Sequence, residues 1–317
     1  MRILVTGASG FMGLGVTRAL CRRGHEVWGL FRSPGKERRV VEAGAVPLRA
    51  DLSSSSAAEH ARQVDAIVHC AQPDVYATHL TRSAIQKVGA MDREWVLNLL
   101  TAAAGRARTF LYPSGGWVYG DTPERAVDER APLNPFALAS YKPALETLVM
   151  EEGRRLGYSS LVVFRSGALY GPGGGFEQFV LAPMRGGGRS RWSWVGSGNN
   201  WVSYIHVDDF AEACALALEK QPGHVVLNVT DDEPVRIREA IHFLARQMGA
   251  RPPGGVPSFV YWLLRGAAVD ALTGNTRMDN RLARSTLQWA PKFSSYREGF
   301  SELARQSRPS TPSRTDR

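Results

Sequence analysis

A chain of 317 residues, 44% of them hydrophobic, can bury a sizeable core as one large domain or two interlocked ones. Its formal net charge is +9, but 34 of the 39 basic residues are arginines spread along the whole chain. That distribution argues against a nucleic-acid surface, which needs a clustered face, and leaves a mild pull on anionic ligands.

The first thirteen residues set the pattern. Arg2 to Val5 reads as a short buried strand, and Thr6-Gly-Ala-Ser-Gly-Phe-Met-Gly13 turns it into a helix running to about Arg23. A glycine-rich turn at a helix N-terminus leaves backbone N–H groups pointing outward beside the positive end of the helix dipole, which suits a pyrophosphate. Gly7 permits the tight turn, Gly10 the approach of phosphate, and Gly13 close packing of helix on strand. A second strand, Glu26 to Phe31, ends in Arg32. A carboxylate at that point accepts the ribose 2′-hydroxyl of NAD, whereas an arginine pairs with the 2′-phosphate of NADP. Arg32, with Lys36, Arg38 and Arg39 close behind, therefore favours NADP(H) over NAD(H).

Further strands are expected at Ala45 to Arg49, Asp65 to His69, Thr109 to Pro113 and Ser160 to Arg165, with helices at Met91 to Gly105 and Ala137 to Leu156. Ala50-Asp51-Leu52 closes the third strand where a side chain can meet an adenine ring. Cys70-Ala71 follows the fourth, on the edge where ligands lie in an open parallel sheet. Strands and helices alternating at this spacing give an α/β fold with a doubly wound parallel sheet of Rossmann type. From Tyr170 the texture turns loop-rich and aromatic. The expected division is a dinucleotide-binding domain over 1–169, with 200–230 returning to it, an interleaved substrate lobe over 170–199 and 231–305, and a disordered tail over 306–317. Within the second part, Tyr204 to Leu218 reads as strand then helix with Asp208 or Asp209 as N-cap, and Pro234 to Met248 as an amphipathic helix. No run is long enough to span a membrane, and no metal-ligand spacing appears. Three widely spaced cysteines and the lack of a leader point to the cytoplasm.

These stretches together resemble the extended short-chain dehydrogenase/reductase superfamily, in its nucleotide-sugar epimerase/dehydratase branch. The motifs are Thr6 to Gly13, Ala50 to Leu52, His69 to Ala71, Trp117-Val-Tyr-Gly120, Arg165 to Pro172, Tyr204 to Asp209 and Leu287 to Pro291. The resemblance implies a cofactor lined by Gly7, Ser9, Gly10, Phe11, Met12, Gly13, Arg32, Asp51, Leu52, Ala71, Lys142 and Ser166. It also makes the helix bearing Lys142 a possible half of a homodimer interface.

The chemistry departs from the resemblance. The family's tyrosine acid/base stands four residues before its lysine, whose charge lowers the phenol pKa. Here the lysine is Lys142, with Glu146 following as in the family, and the tyrosine position is Leu138. On a continuous helix Tyr141 faces about 100° away from Lys142. The family's Ser or Thr position is Gly115, with Ser114 beside it, and its phosphate-gripping arginine is Val202; Arg185, Arg189, Arg191 or Arg277 could supply that charge. Of the usual catalytic set only Lys142 remains, with the Ser114 and Tyr119 hydroxyls nearby. Gly115, Trp117, Leu138, Phe176 and Trp194 are expected to line the substrate, and Phe179, Trp192 and Trp201 add to an apolar, aromatic surrounding. Three functions fit: an NADP-dependent oxidoreductase reducing a small carbonyl, enone or imine-like substrate without the usual tyrosine, a nucleotide-sugar epimerase/dehydratase, or a non-catalytic dinucleotide-binding protein.

Overall fold

The structure is a computed structural model that describes residues 1–73, 81–187, 194–266 and 268–307. Its strands are β1 (Arg2–Thr6), β2 (Glu26–Phe31), β3 (Val46–Arg49), β4 (Ala66–His69), β5 (Thr109–Gly115), β6 (Ser160–Ser166), β7 (Ala168–Tyr170), β8 (Trp201–Val202), β9 (Tyr204–His206), β10 (His224–Val229) and β11 (Val235–Arg236). The helices are α1 (Phe11–Arg22), α2 (Glu37–Glu42), α3 (Ser55–Ala61), α4 (Arg82–Ala103), α5 (Lys142–Arg155), the single turn α6 (Gly174–Phe176), α7 (Val207–Lys220), α8 (Ile237–Gln247), α9 (Ser258–Arg265), α10 (Val269–Thr273), α11 (Arg281–Leu287) and α12 (Tyr296–Ser307).

Seven parallel strands form the main sheet in the order β10-β6-β5-β4-β1-β2-β3. Strand order reverses between β1 and β4, and the crevice at their carboxyl ends is where such sheets bind ligands. Side-chain alternation sends Ile3 and Val5 into one core layer and Leu4 into the other. On β5 the same rule puts Leu111 with the first layer, while Phe110 and Tyr112 join the second, beneath α4 and α5. A third core of Tyr170, Leu181, Trp194, Leu244 and Phe300 holds the smaller lobe. Ala283, Leu287 and Trp289 pack into the first layer of the large sheet, so α11 interrupts the stretch expected to belong to the lobe.

Several local expectations are corrected. The helix expected from Ala137 is broken: a 3-10 turn spans Ala137–Ala139, and α5 starts at Lys142 with Tyr141 as its N-cap. Pro143 explains the break, because it has no N–H for the i−4 carbonyl and fits only the first turn of a helix. The cap of α7 is His206, whose Nδ1 accepts from the Asp208 N–H at 3.2 Å. Asp209 instead accepts from the Lys292 and Phe293 N–H groups at 2.7 and 3.1 Å, tying α7 to the segment before α12. Met91 lies inside α4, which starts at Arg82 behind the Thr81 cap. Gln306 and Ser307 end α12, whereas tail residues 308–317 lie outside the described residues.

Asp231 sits where β10 meets the lobe, its N–H bonded to the Tyr204 carbonyl at 2.7 Å. It is 2% exposed, and its Oδ2 has no hydrogen-bond partner among the described residues. Burial pushes its carboxyl up to about 8. The folded protein therefore keeps this proton between about pH 4 and pH 8, while the unfolded chain releases it. Stability from this group is full below about pH 4 and declines as pH rises towards 8. Asp231→Asn should flatten the fall in thermal midpoint between pH 5 and pH 8, measured by calorimetry. An unchanged slope would contradict this reading of the carboxyl.

Candidate active site

The glycine turn after β1 is shaped by close backbone approach. Gly7 has φ +65°, and a Cβ there would lie 2.8 Å from the Ala71 backbone. A Cβ at Gly13 would lie 2.3 Å from the Gly7 carbonyl oxygen, whereas at Gly10 the only near neighbour is that oxygen at 3.1 Å. The Ala8 N–H bonds to the Leu30 carbonyl and the Gly10 N–H to the Gly7 carbonyl. The next N–H groups, at the start of α1, have no side-chain cap and no acid in the first turn. A free helix terminus beneath a side-chain-free cradle fits a dinucleotide pyrophosphate. Ser9 is buried, and the Phe11 ring lies against the Gly173-Gly174 turn. Met12 packs on the first core layer.

Around this turn, Arg32 follows β2 directly, is exposed, and makes no ion pair among the described residues. Arg38 is taken up by Glu42 at 2.6 Å. Asp51 uses a carboxylate oxygen on the Ser53 N–H at 2.9 Å, and the Leu52 side chain is buried in the second core layer. The Ala71 N–H reaches Thr6 Oγ1 at 3.1 Å, stitching the ends of β1 and β4 together. Ser166, at the end of β6, donates its hydroxyl to the Ser114 carbonyl at 3.4 Å.

Two buried polar networks occupy the neighbouring edge. Tyr112 and Ser114 share a face of β5, and Lys142 and Glu146 share a face of α5, so the two pairs meet in register. In the first network Lys142 Nζ donates to Asp92 Oδ2 at 3.0 Å and to the Tyr112 hydroxyl at 2.8 Å. Tyr112 donates to Asp92 at 3.1 Å, and His69 Nε2 lies 3.4 Å from the other Asp92 oxygen. Burial alone would raise the Asp92 carboxyl, but the Lys142 charge and its partners' hydrogen bonds outweigh it and hold the group at about 2. Burial drives the Tyr112 phenol well above its ordinary value, and the Asp92 charge drives it further.

In the second network Ser114 Oγ donates to Glu146 at 2.5 Å, and Arg165 grips the same carboxylate at 2.6 and 3.0 Å. The Tyr119 hydroxyl donates to Asn228 at 2.7 Å and accepts from Arg165 at 2.9 Å. Burial pushes that phenol up to about 12. The hydroxyls of Ser114 and Tyr119, expected to serve a reacting oxygen, both donate to partners inside the protein. At Gly115, by contrast, a Cβ would meet nothing within 4 Å.

The expected substrate-lining residues divide. Leu138 is buried with Ile85, Phe136 and Ala271, and Trp117 and Tyr141 pack against that cluster. Phe176 packs at a tilt on Tyr170 and Phe300, and Trp194 packs edge-on against His242, so both of these expected lining residues contribute to the lobe core. Phe179 is exposed. Tyr141 is also corrected: as a turn residue it escapes helical geometry, and its ring centre lies 5.2 Å from Lys142 Nζ. Arg185 pairs with Glu177, and Arg277 stacks on Trp201 while donating to the Pro123 and Glu124 carbonyls. Arg189, Arg191 and Trp192 lie outside the described residues.

Sequence reasoning missed Asp92 and His69. A signal existed: Asp92 stands at i, i+3, i+4 and i+7 spacing with Trp95, Val96 and Leu99, an acid on the buried stripe of α4. Among the described residues no cluster of side chains suits a metal ion, and no helix is long and apolar enough to cross a membrane.

The 3-diazoavenalumate denitrifying reductase of a Streptomyces species is 32% identical over 95% of this chain and 99% of its own length. The 4-hydroxy-2-methyl-3-oxo-4-farnesyl-3,4-dihydroquinoline-1-oxide ketoreductase of Stigmatella aurantiaca is 29% identical over 81% of this chain and 76% of its own. Human epimerase family protein SDR39U1, solved with NADPH, superposes with a TM-score of 0.77 at 24% identity, covering 96% of this chain and 99% of that one. The model of the NAD dependent epimerase/dehydratase family matches residues 3–229, from the first strand through the glycine turn to the last strand of the main sheet. The chain belongs to that family.

Proposed function

We propose that the protein is an NADP-dependent oxidoreductase that reduces a small apolar or aromatic acceptor, a conjugated carbonyl, enone or imine-like group, without the usual tyrosine acid. The observation that carries this reading is the state of Lys142. An ammonium has three N–H donors, and the protein engages two of them, on Asp92 and Tyr112. The third has no hydrogen-bond acceptor among the described residues, which supports a role for it towards a ligand. The hydroxyls of Ser114 and Tyr119 are bound to internal partners, and Gly115 leaves open space.

When bound, the nicotinamide supplies hydride. Gly7, Gly10, Gly13 and the first turn of α1 would hold its pyrophosphate, and Arg32 the 2′-phosphate. Lys142 stabilises negative charge developing on the acceptor, solvent water supplies the proton that completes the product after hydride transfer, and Leu138 and Trp117 offer the acceptor an apolar wall. Such a site favours acceptors that leave little strongly basic oxygen to protonate. Two relatives support reduction as the reaction, one named a ketoreductase and the other a 3-diazoavenalumate denitrifying reductase, and of these a diazo acceptor would leave no alkoxide.

The test is to follow NADPH and NADH absorbance with panels of enones, ketones, aryl diazo compounds and nucleotide sugars. Faster NADPH loss with one of the first three classes is expected. Nucleotide-sugar turnover would replace the reading with an epimerase. NADPH binding without turnover of anything would favour a non-catalytic dinucleotide-binding protein.

Two substitutions sharpen this. Arg32→Ala should weaken NADPH binding by about 1.5–3 kcal/mol, the scale of a hydrogen bond to a charged group, and barely change NADH binding in calorimetric titration. Equal losses for both would remove Arg32 from the cofactor site. Lys142→Met should lower kcat/KM at least ~10²-fold, about 2.7 kcal/mol of transition-state stabilisation. A near-native rate constant would take Lys142 out of the reaction.

A further inference from the structure

We propose that Asp92 is the positioning residue of this site: its carboxylate sets the place and the charge of Lys142, and Thr6 and His69 set the carboxylate. The catalytic consequence rests on the reductase reading; the structural argument does not. Asp92 is 0% exposed and Lys142 6% exposed. A buried ammonium without a counter-charge loses its proton, and a buried carboxylate without one gains a proton. Each therefore depends on the other.

The hydrogen-bond directions follow from the contacts. The Ala71 N–H donates to Thr6 Oγ1, and the same hydroxyl is hydrogen-bonded to His69 Nδ1 at 2.9 Å. An ionised Asp92 only accepts, so His69 Nε2 presents an N–H towards Oδ1 at 3.4 Å. Tyr112 and Lys142 both donate to Asp92 Oδ2, and Lys142 also donates to Tyr112. Thr6, His69, Asp92, Tyr112 and Lys142 thus make one hydrogen-bonded unit centred on the Asp92 carboxylate. The unit begins one residue before Gly7, in the turn that fits the pyrophosphate, and ends at Lys142. It thereby fixes the lysine relative to the dinucleotide turn.

The groups around Lys142 are accounted for element by element. Asp92 faces it from α4, Tyr112 from β5, and the Tyr141 ring from its own turn. Glu146, one turn further along α5, is bound to Arg165 and Ser114. Asp92 is the one carboxylate in contact with the ammonium among the described residues.

The experiment reads the lysine itself. The chain has five lysines, so protein labelled with 13C at the lysine ε-carbon gives a simple spectrum, and the Lys142 signal is the one missing from Lys142→Met. Asp92→Asn keeps the shape and removes the charge. The midpoint of the Lys142 titration should fall by more than about one pH unit relative to wild type, with the other four unmoved. Asp92→Glu should restore part of the shift. An unmoved midpoint in folded Asp92→Asn protein overturns the proposal. Should that variant not fold, Tyr112→Phe should lower the midpoint by a smaller amount, and no change there overturns the proposal as well. With an acceptor in hand, the basic limb of the kcat/KM profile should move down with the spectroscopic midpoint. If wild type turns over nothing, the reductase reading fails while the titration still decides the role of Asp92.

Discussion

A lysine ammonium withdrawn from water is stable only beside a compensating charge, and in this protein that charge comes from inside the second core layer. Lys142 and Asp92 approach to 3.0 Å with almost no solvent access. Removing either partner would leave the other charge buried and alone, at a cost of about 3–5 kcal/mol in comparable pairs. Much of the site follows from this constraint. Tyr112 must turn its hydroxyl towards the pair, His69 must present a donor to the free carboxylate oxygen, and Thr6 must fix the ring of His69. The outcome is a fixed cation connected through Asp92, His69 and Thr6 to the turn that precedes α1.

The second network has the opposite consequence. Arg165 holds Glu146 in place, and Glu146 accepts the Ser114 hydroxyl's hydrogen bond; Asn228 and Arg165 together hold Tyr119. Both hydroxyls support the packing of β5, β6 and α5, and neither is aimed outward. The position where the family places a Ser or Thr is an open glycine, and the position of its tyrosine is a leucine packed on Phe136 and Ile85. A fixed ammonium is what this edge offers to a developing negative charge on the proposed reading, which is why the proposed acceptors are ones that demand little acid catalysis.

Much of this was legible in the sequence. The strands of the large sheet are short aliphatic runs, and the glycine turn has a local signature, so their places follow from neighbouring residues alone. What escaped depends on tertiary partners. Nothing near Tyr119 announces Asn228, which lies far along the chain in β10. Aromatic content alone could not distinguish Phe176 and Trp194, which fill the lobe core, from a ligand wall. The broken start of α5 turned on Pro143, whose missing N–H moved Tyr141 off the helix and next to Lys142. Asp92 was the costliest omission, since an acid on a helix is ordinarily solvated and its partner lies 50 residues away.

The most direct test of reduction without a dedicated acid is a pair of isotope effects in one reaction. A single turnover of a conjugated enone would be timed with ordinary NADPH and with NADPH carrying deuterium at the transferred position, each in H2O and in D2O. The account predicts marked slowing from the cofactor deuterium and almost none from D2O. Slowing of comparable size in D2O that disappears in Tyr141→Phe would contradict it, because it would show that a phenol beside Lys142 delivers a proton in the rate-limiting step.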